Sequence, residues 1–213
     1  MSYTLILGNK AYSSWSLRPW IALKQAGVPF DEIVLRIGTG NSDEIRKYSP
    51  AGKVPILKDG DFTVWDSLAI IEYVAEKHTR LWPADAKARA VARSVSAEMH
   101  SGFVPLRKLC NMNVRKHYPN FELTDDVRAD IARIETIWAD ARAQFGKDGP
   151  FLFGEWTAAD AMYAPVVTRF KTYDVKLSKG SQDYCDAVLA LPAMKDWYAA
   201  GAAEPWVISQ YEY

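Results

Sequence analysis

The chain has 213 residues, enough for one large domain or two small ones, each with its own hydrophobic core. Hydrophobic residues make up 49% of the sequence and charged residues 24%, which is ordinary for a globular protein and unlike a disordered chain. Lysine plus arginine and aspartate plus glutamate both total 26, so the balanced charge gives no electrostatic reason to expect a nucleic acid or an anionic membrane surface as partner.

The first 78 residues predict a small β-sheet with helices. In chain order, the apolar and β-rich runs indicate a strand at 3–8, a helix at about 16–26, a strand within 28–37 and a helical turn capped by Ser42. Two further β-rich runs flank Asp59-Gly60, a pair preferred in two-residue hairpin turns. Asp66 and Ser67 then open a helix that runs to about His78.

The rest of the chain predicts helices only. A linker with proline and polar residues follows residue 78, and the change of composition near residue 80 indicates a domain boundary. Alanine-rich helical patterns lie at about 85–117, 124–146, 157–173, 181–190 and 193–202. The third of these begins with TAADA, which predicts a capping box between Thr157 and Asp160.

The chain start and the cysteines indicate a cellular compartment. MSYTLILGNK predicts a first strand and not a signal peptide, because no basic segment precedes its short apolar run. No apolar stretch approaches the length of a membrane span. Cys110 and Cys185 are too few for a disulfide scaffold and too far apart for a metal site. We therefore expect a reduced, cytoplasmic protein that does not associate with membranes.

Three serines precede the first helix in YSSWSLRPWIAL, residues 12–23. Pro19 lacks an N–H and is best tolerated in the first helical turn, so the pattern predicts Ser16 as the N-cap. Ser13 and Ser14 are then not needed for capping and lie in the preceding loop. Taken alone, serines in such a loop most often hydrogen-bond to local backbone.

Four segments, in order along the chain, resemble the cytosolic glutathione transferases. SSWSLRPWIAL resembles the serine motif of the zeta and related bacterial classes, and GKVPIL resembles the proline-containing loop before the third strand. DSLAIIEYV resembles the helix start E/D-S-x-A-I, and GEWTAADA resembles the capping-box segment of the helical domain. The resemblance covers the whole chain. One position departs from it: Trp15 stands where the zeta pattern has cysteine, which argues against zeta-type isomerase chemistry.

The resemblance implies a fold and a co-substrate. It predicts an α/β thioredoxin-like domain, residues 1–79, that binds glutathione, and an all-α domain, residues 86–213, that contributes a pocket for an electrophile. Glutathione is the expected co-substrate, with no tightly bound cofactor and no metal. The family forms homodimers, and the residues suggested for this interface are Trp65, Arg89 and Arg93.

The expected glutathione-binding residues are Lys53, Val54, Pro55, Asp66 and Ser67. In the family the Val54–Pro55 bond is cis, which exposes the backbone of Val54 to pair with the tripeptide like an added strand. Without the resemblance, a proline of an edge strand is the favoured interpretation. Lys53 is expected beside the glycyl end. The helix start at Asp66-Ser67 suits the γ-glutamyl carboxylate, and an acid there suits the α-amino group; alone, this pair is also an ordinary N-cap.

By the same resemblance, Ser13 is the first candidate to donate a hydrogen bond to the glutathione sulfur, and Ser14 is the second. A free thiol has a pKa of about 8.5, so little of it is thiolate at neutral pH. One hydroxyl hydrogen bond and a helix dipole, each worth up to about 1–2 kcal/mol, could lower this pKa by about one to two units. No general base is required.

The electrophile pocket is expected between the two domains. Its candidates are Tyr12 and Trp15 from the first domain, with Met99, Phe103 and Arg107 from one stripe of the first long helix. An apolar row at this spacing is more often core than pocket.

The predicted function is glutathione transfer to an electrophilic carbon. One alternative is a binding or regulatory protein that keeps this fold without catalysis. Another is a different glutathione-dependent enzyme, namely an isomerase, a dehalogenase or a peroxidase. His100 and His117 have no histidine or cysteine at ligand spacing, which argues against a metal site.

Overall fold

The computed structural model describes residues 3–38, 42–147 and 149–213. Its sheet has four strands, β1 (Tyr3–Gly8), β2 (Phe30–Leu35), β3 (Ile56–Asp59) and β4 (Phe62–Trp65), in the spatial order β2-β1-β3-β4. β1 pairs in parallel with β2 and antiparallel with β3, and β3 pairs antiparallel with β4. This is the thioredoxin-like α/β arrangement that the sequence predicts.

The hairpin between β3 and β4 turns one residue later than predicted. Asp59 is still paired, with Phe62 as its partner, so the two loop residues are Gly60 and Asp61. Gly60 has a φ of 60°, a left-handed conformation that glycine adopts without the clash a Cβ atom would cause.

Nine helices lie in the described residues. Three belong to the first domain: α1 (Ser14–Gln25), α2 (Ser42–Arg46) and α3 (Ser67–Ala75), and a short 3-10 turn (Thr79–Leu81) follows them. The other six are α4 (Ala86–Ser101), α5 (Val104–Leu109), α6 (Asp125–Phe145), α7 (Ala158–Thr172), α8 (Lys179–Ala190) and α9 (Pro192–Ala203). The residue that would cap α2 lies outside the described residues, and α3 ends short of the predicted His78. Among the described residues, no helix is long and apolar enough to cross a membrane.

The predicted helix over 85–117 is wrong in its second half. α4 ends at Ser101, and Phe103 adopts a left-handed φ of 57° before α5 begins. Pro105 explains the break, because it has no N–H to continue the helical hydrogen bonds and its ring clashes with the carbonyl four residues earlier. α5 therefore leaves the axis of α4 and carries Arg107 in a new direction.

Both predicted domains share one hydrophobic core. α1 packs on α3 and α9, and also on α7, in which nearly every residue is buried. A second, smaller cluster lies on the other face of the sheet, where Ile45 of α2 packs against Ile6, Leu35 and Ile56. Because α1 packs against α7, the loop between β1 and α1 lies where the sheet domain meets the helical domain. The division into residues 1–79 and 86–213 stays a prediction.

The predicted capping box at the start of α7 is confirmed. The Asp160 carboxylate accepts hydrogen bonds from the Thr157 N–H at 2.8 Å and the Thr157 hydroxyl at 3.0 Å. Its other oxygen accepts from the Leu152 N–H and the Tyr184 hydroxyl, both at 3.1 Å. Burial raises the pKa of Asp160 to about 6, and these four hydrogen bonds oppose that rise. The box therefore ties α7 to the preceding loop and to α8.

Candidate active site

A cleft of about 550 Å³ opens between the sheet domain and the helical domain. It is lined by the predicted site residues Tyr12, Ser13, Ser14, Trp15, Lys53, Val54 and Arg107. Its remaining lining residues, to which no sequence pattern pointed, are Ile37, Gly38, Ile45, Gly52, Val104, Lys108, Asn111, Met112, Arg169 and Tyr211. The fold thus brings three segments of the predicted site together.

Ser13, and not Ser16, is the N-cap of α1. The Ser13 Oγ accepts a hydrogen bond from the Ser16 N–H at 3.3 Å and donates one to the Ser16 Oγ at 2.8 Å. The Ser16 Oγ in turn accepts from the Gly8 N–H at 3.0 Å. This chain of bonds joins the start of α1 to the end of β1, and it places Pro19 inside the helix instead of in its first turn. Satisfying the Gly8 N–H outweighed the preference of proline for the first turn.

Ser14 is the first residue of α1 and is half-buried at the wall of the cleft. Within the part of the chain that the structure describes, its hydroxyl has no hydrogen-bond partner. The two candidate serines therefore differ: the Ser13 proton is directed to Ser16, whereas the Ser14 proton is available to a ligand.

Lys53 and Val54 also line the cleft. The Val54–Pro55 peptide bond is cis, the isomer that the family resemblance implies. Lys53 is exposed and Val54 is half-buried, and both line the cleft, whereas Pro55 is buried behind them. The lysine ammonium is thus free to meet an anionic group of a ligand.

Asp66 and Ser67 do not line this cleft but lie next to it. The Asp66 carboxylate caps α3 by accepting from the Leu68 N–H at 2.9 Å and the Ala69 N–H at 3.2 Å. Its other oxygen lies 3.2 Å from the Nε2 of His100. Ser67 is 1% exposed, and its hydroxyl has no partner among the described residues. A buried hydroxyl without a partner is costly, which makes it a candidate to bind a ligand.

Trp15 connects these two regions. The edge of its ring meets the His100 ring, with 5.2 Å between centroids. The guanidinium of Arg18 lies over the same indole at 4.3 Å, and that of Arg107 at 5.5 Å. Burial lowers the pKa of His100, and the nearby Asp66 carboxylate opposes this. Trp15 is therefore packed among cationic and titratable groups.

Met99 and Phe103 are not pocket residues, contrary to the sequence prediction. Both are buried within the shared hydrophobic core. The predicted stripe requires one continuous helix, and the break at Gly102 separates Phe103 and Arg107 from α4. Only Arg107 of this set reaches the cleft.

Tyr12 lines the cleft, but its hydroxyl is engaged elsewhere. That hydroxyl donates to the Glu212 carboxylate at 2.6 Å and accepts from Arg115 Nη2 at 2.7 Å. The Ile208 N–H lies at 3.4 Å from the same oxygen. Burial and the Glu212 hydrogen bond raise the pKa of Tyr12. Tyr12 thus holds the C-terminal segment against the loop that carries the serines.

No sequence pattern pointed to three cationic side chains at or near the cleft, Lys108, Arg169 and Arg18. Arg18 is 1% exposed, and its Nε and Nη1 have no partner among the described residues. Arg169 is 4% exposed and donates from Nε to the Cys110 carbonyl at 2.8 Å and from Nη1 to the Pro165 carbonyl at 3.2 Å. A charged residue inside the otherwise apolar pattern of α7 was the available signal for Arg169.

Neither cysteine offers a reactive thiol. Cys110 and Cys185 are both buried and free, and burial raises the pKa of each thiol to about 12. In the described ranges, no three histidine, cysteine or acidic side chains lie together so as to hold a metal ion. Neither cysteine is therefore a candidate nucleophile for this site.

Two family models match the chain. The glutathione S-transferase N-terminal domain matches residues 12–77, which include the serine segment and the cis-proline loop. The glutathione S-transferase C-terminal domain matches residues 112–200.

The chain is similar to several curated proteins over part of its length. It is 57% identical to dichloromethane dehalogenase of Methylorubrum extorquens over 53 residues, which are 24% of this chain and 18% of that protein. It is 35% identical to maleylacetoacetate isomerase of Rattus norvegicus over 102 residues, 45% of this chain and 46% of that protein. It is 31% identical to glutathione S-transferase theta-1 of Rattus norvegicus over 147 residues, 63% and 60% of the two chains. The matches thus span less than two thirds of each relative.

The fold is also shared with solved structures. A glutathione transferase homolog from Burkholderia gl BGR1, solved with bound glutathione, superposes with a TM-score of 0.70 at 22% identity. The match covers 96% of this chain and 100% of that one. At this identity the similarity establishes the fold, which includes both the sheet domain and the helical domain.

Proposed function

This chain belongs to the glutathione S-transferase family, since models of both of its domains match, and from that premise we propose that it activates the glutathione thiol for attack on an electrophilic carbon. Ser13 and Ser14 supply the activating hydroxyls. The observation that supports this proposal is the position of these serines at the start of α1, in the same cleft as Lys53 and Val54. We also propose that the protein is cytoplasmic.

Activation requires only that the thiolate be stabilised relative to the thiol. A serine hydroxyl donates a hydrogen bond to the sulfur anion, and the positive end of the α1 dipole adds to its effect. Together they lower the thiol pKa by about one to two units, which makes a substantial fraction thiolate at neutral pH. The sulfur then forms a bond to carbon, and the leaving group departs with the electron pair of the bond that breaks.

The tripeptide is proposed to extend along the wall formed by Lys53 and Val54. Its cysteinyl backbone pairs with the backbone of Val54, and its glycyl carboxylate meets the exposed Lys53 ammonium. Its γ-glutamyl carboxylate binds the Ser67 hydroxyl, which has no partner among the described residues, and the Ser67 N–H, because the next two N–H groups of α3 already donate to Asp66. Asp66 is proposed to receive the α-amino group.

A second glutathione-dependent reaction is supported by the names of two relatives. The chain resembles a dichloromethane dehalogenase and a maleylacetoacetate isomerase over part of its length. Dehalogenation and isomerisation, like glutathione transfer, are compatible with a protein that binds glutathione beside an electrophile. A peroxidase and a non-catalytic glutathione-binding protein would use the same glutathione site, and a panel of electrophiles and peroxides distinguishes these five functions.

The placement of glutathione is tested by calorimetry of Ser67→Ala. We expect affinity for glutathione to fall by about tenfold or more, because a hydrogen bond to a carboxylate is worth about 1.5–3 kcal/mol. Ser94→Ala is the matched control, since the Ser94 hydroxyl bonds only the Ala90 carbonyl on an exposed face of α4. Equal affinity in Ser67→Ala and wild type would show that the γ-glutamyl group lies elsewhere. Failure of the wild type to bind glutathione would refute the proposed function itself.

A further inference from the structure

The charged side chains that line the cleft all carry the same sign. They are Lys53, Arg107, Lys108 and Arg169, and among the described lining residues there is no aspartate or glutamate. This excess is local, because the chain as a whole has a formal net charge of zero. Glutathione, in the proposed placement, uses only Lys53 of this set. The three cations of the helical-domain wall therefore have no assigned role.

Two of the arginines near the cleft are held in a desolvated environment. Arg169 is 4% exposed, and Arg18, which lies beneath Trp15, is 1% exposed. Burial, together with the positive charges of the other two arginines, lowers the pKa of Arg18 to about 9. Burial is also the main reason why the pKa of Arg169 falls to about 10, and Arg107 adds to that effect. Arg18, Arg107 and Arg169 thus lie close enough to repel one another.

No carboxylate compensates this cluster at close range. Within residues 3–38, 42–147 and 149–213, none of these three arginines forms an ion pair. The acids that act on them from farther away already have other partners: Asp66 accepts from the start of α3, and Asp130 accepts from the Leu106 N–H at 3.0 Å. Buried cations are normally paired, because removing a charge from water is costly. The cluster is therefore incomplete without an anion.

Hydrogen bonds to carbonyl oxygens fix the orientation of two of the three guanidinium groups. Arg107 donates from Nη1 to the His100 carbonyl at 3.2 Å, and Arg169 donates from Nε and Nη1 to carbonyls of Cys110 and Pro165. Such bonds orient a guanidinium without neutralising it. Both side chains line the same cleft as Ser13 and Ser14, and the Arg107 guanidinium lies 5.5 Å from the Trp15 ring, so an anion bound to them would share the cleft with a sulfur held by the serines.

We propose that the electrophile of this protein carries a carboxylate, which binds to Arg107 and Arg169 while its reactive carbon faces the serine-bound sulfur. This inference rests on the proposed function and names the substrate class of that site. Arg107 also lies over the Trp15 ring, so the pocket combines a cationic wall with an aromatic surface and suits an aromatic carboxylate. Arg18 adds positive potential from beneath Trp15 without lining the cleft.

The test uses two electrophiles that differ in one charge, 4-chloro-3-nitrobenzoate and its methyl ester. In both, the glutathione sulfur bonds to the ring carbon that carries chlorine, and chloride leaves with the electrons of the C–Cl bond. Each kcat/KM is divided by the rate constant of the uncatalysed reaction, which removes the intrinsic difference in reactivity. We expect the wild type to favour the acid over the ester, and Arg107→Met to reduce this normalised preference by about tenfold.

Three further variants control this measurement. Arg107→Lys keeps the charge and is expected to retain most of the preference for the acid. Arg128→Met removes an exposed arginine of α6 outside the cleft and is expected to leave the preference unchanged. Arg169→Met is expected to act like Arg107→Met, provided that its circular dichroism shows a folded protein, because this side chain is buried in α7. Equal normalised kcat/KM values for the acid and the ester in the wild type would overturn the inference.

A binding experiment separates this inference from the proposed function. Calorimetry compares S-(4-carboxybenzyl)glutathione with the conjugate in which only the benzyl carboxylate is a methyl ester. Binding is measured directly, so no turnover is needed. Tighter binding of the acid that is lost in Arg107→Met, with glutathione affinity retained, supports the inference. If Arg107→Met weakens the binding of unmodified glutathione as much as that of the carboxybenzyl conjugate, the inference is overturned, since the anion bound by Arg107 would then be a carboxylate of glutathione. If glutathione binds and the two conjugates bind equally, the inference fails and the proposed function stands; if none binds, both fail.

Discussion

The adjacent hydroxyls of Ser13 and Ser14 have different partners. Ser13 caps α1 and donates to Ser16, whereas the Ser14 hydroxyl faces the cleft without a partner in the described structure. To serve a sulfur anion, the Ser13 hydroxyl has to rotate away from Ser16. Ser14 needs no such rearrangement. The residue that contacts sulfur is therefore a question that titration of the bound thiol has to decide.

We predict that Ser13→Ala raises the pKa of enzyme-bound glutathione by about one unit, which is the worth of one hydrogen bond to an anion. A higher thiol pKa moves the pH–rate profile to higher pH, so turnover at neutral pH falls by about tenfold. Glutathione affinity changes little, because the tripeptide is held elsewhere. Loss of the N-cap also lowers the free energy of unfolding by about 1 kcal/mol. Thiolate absorbance against pH and urea unfolding measure the two effects.

Ser14→Ala and Ser16→Ala are the comparison variants. Ser14→Ala is expected to have the smaller effect on the thiol pKa, because the family resemblance ranks Ser13 first as the donor, although the structure leaves the Ser14 hydroxyl the more available of the two. Ser16→Ala is expected to cost stability more than activity, because it removes the partner of the Gly8 N–H. A thiol pKa that moves with Ser14→Ala alone would reassign the donor, and a pKa that moves with neither Ser13→Ala nor Ser14→Ala would exclude serine activation.

Among the elements, α9 supports the loop that carries the serines. A Cβ atom on Gly201 of α9 would lie 3.0 Å from the Ala11 nitrogen and 3.1 Å from the Lys10 carbonyl carbon. The Glu204 carboxylate, just after this helix, accepts from the N–H groups of the same two residues at 2.7 and 3.0 Å. The helix and the loop are thus in backbone contact and cannot separate without losing these bonds.

We predict that Gly201→Ala destabilises the protein by about 1–3 kcal/mol, because overpacking against backbone cannot be relieved by a side-chain rotation. The displaced loop should also weaken glutathione turnover. Gly180→Ala is the matched control, since no atom of the described residues lies within 4 Å of its Cβ position in α8. Alanine there should be neutral or stabilising by up to about 1 kcal/mol. Urea unfolding of both variants measures the difference, and equal stability of the two would contradict the close packing of α9 on the loop.

At the scale of the whole molecule, the edge strand β4 exposes a large apolar surface. Phe62 is 58% exposed and Trp65 is 50% exposed. Of the other residues proposed for a dimer interface, Arg93 already pairs with Glu72, and Arg89 donates to carbonyls of its own chain. Exposed aromatic side chains on an edge strand favour association with a partner.

We predict a homodimer that forms through β4, at the edge of the sheet. Sedimentation at micromolar concentration should give about twice the 24.0 kDa mass of the chain. Trp65→Lys should shift the protein toward monomer, because it places a charge within an apolar contact. Val207→Lys is the control, as Val207 is similarly exposed at 57% but lies in the C-terminal segment. A monomeric wild type would contradict the prediction. If both variants shift the protein toward monomer to the same extent, the proposed interface at β4 is wrong.

The sequence by itself determined the features that depend on local chemistry. Short apolar, β-rich runs with a turn signal located the four strands, and helical periodicity located most helices, because these patterns are local. The capping box of α7 and the helix start at Asp66-Ser67 were readable because caps use few residue types at fixed spacing. Family resemblance, and not periodicity, identified the segments of the candidate site.

Tertiary structure alone decided which side chains share the cleft. Arg169, Lys108 and Tyr211 lie far apart along the chain and meet only because α1 packs against α7 and the C-terminal segment returns to the loop after β1. Met99 and Phe103 were misassigned because the predicted helix was extended across Pro105, a local break signal that periodicity alone does not include. Ser13 became the cap because of the Gly8 N–H, a group that belongs to another element. Non-local hydrogen bonds and packing carry no signature in local sequence, so these contacts could be read only from the folded chain.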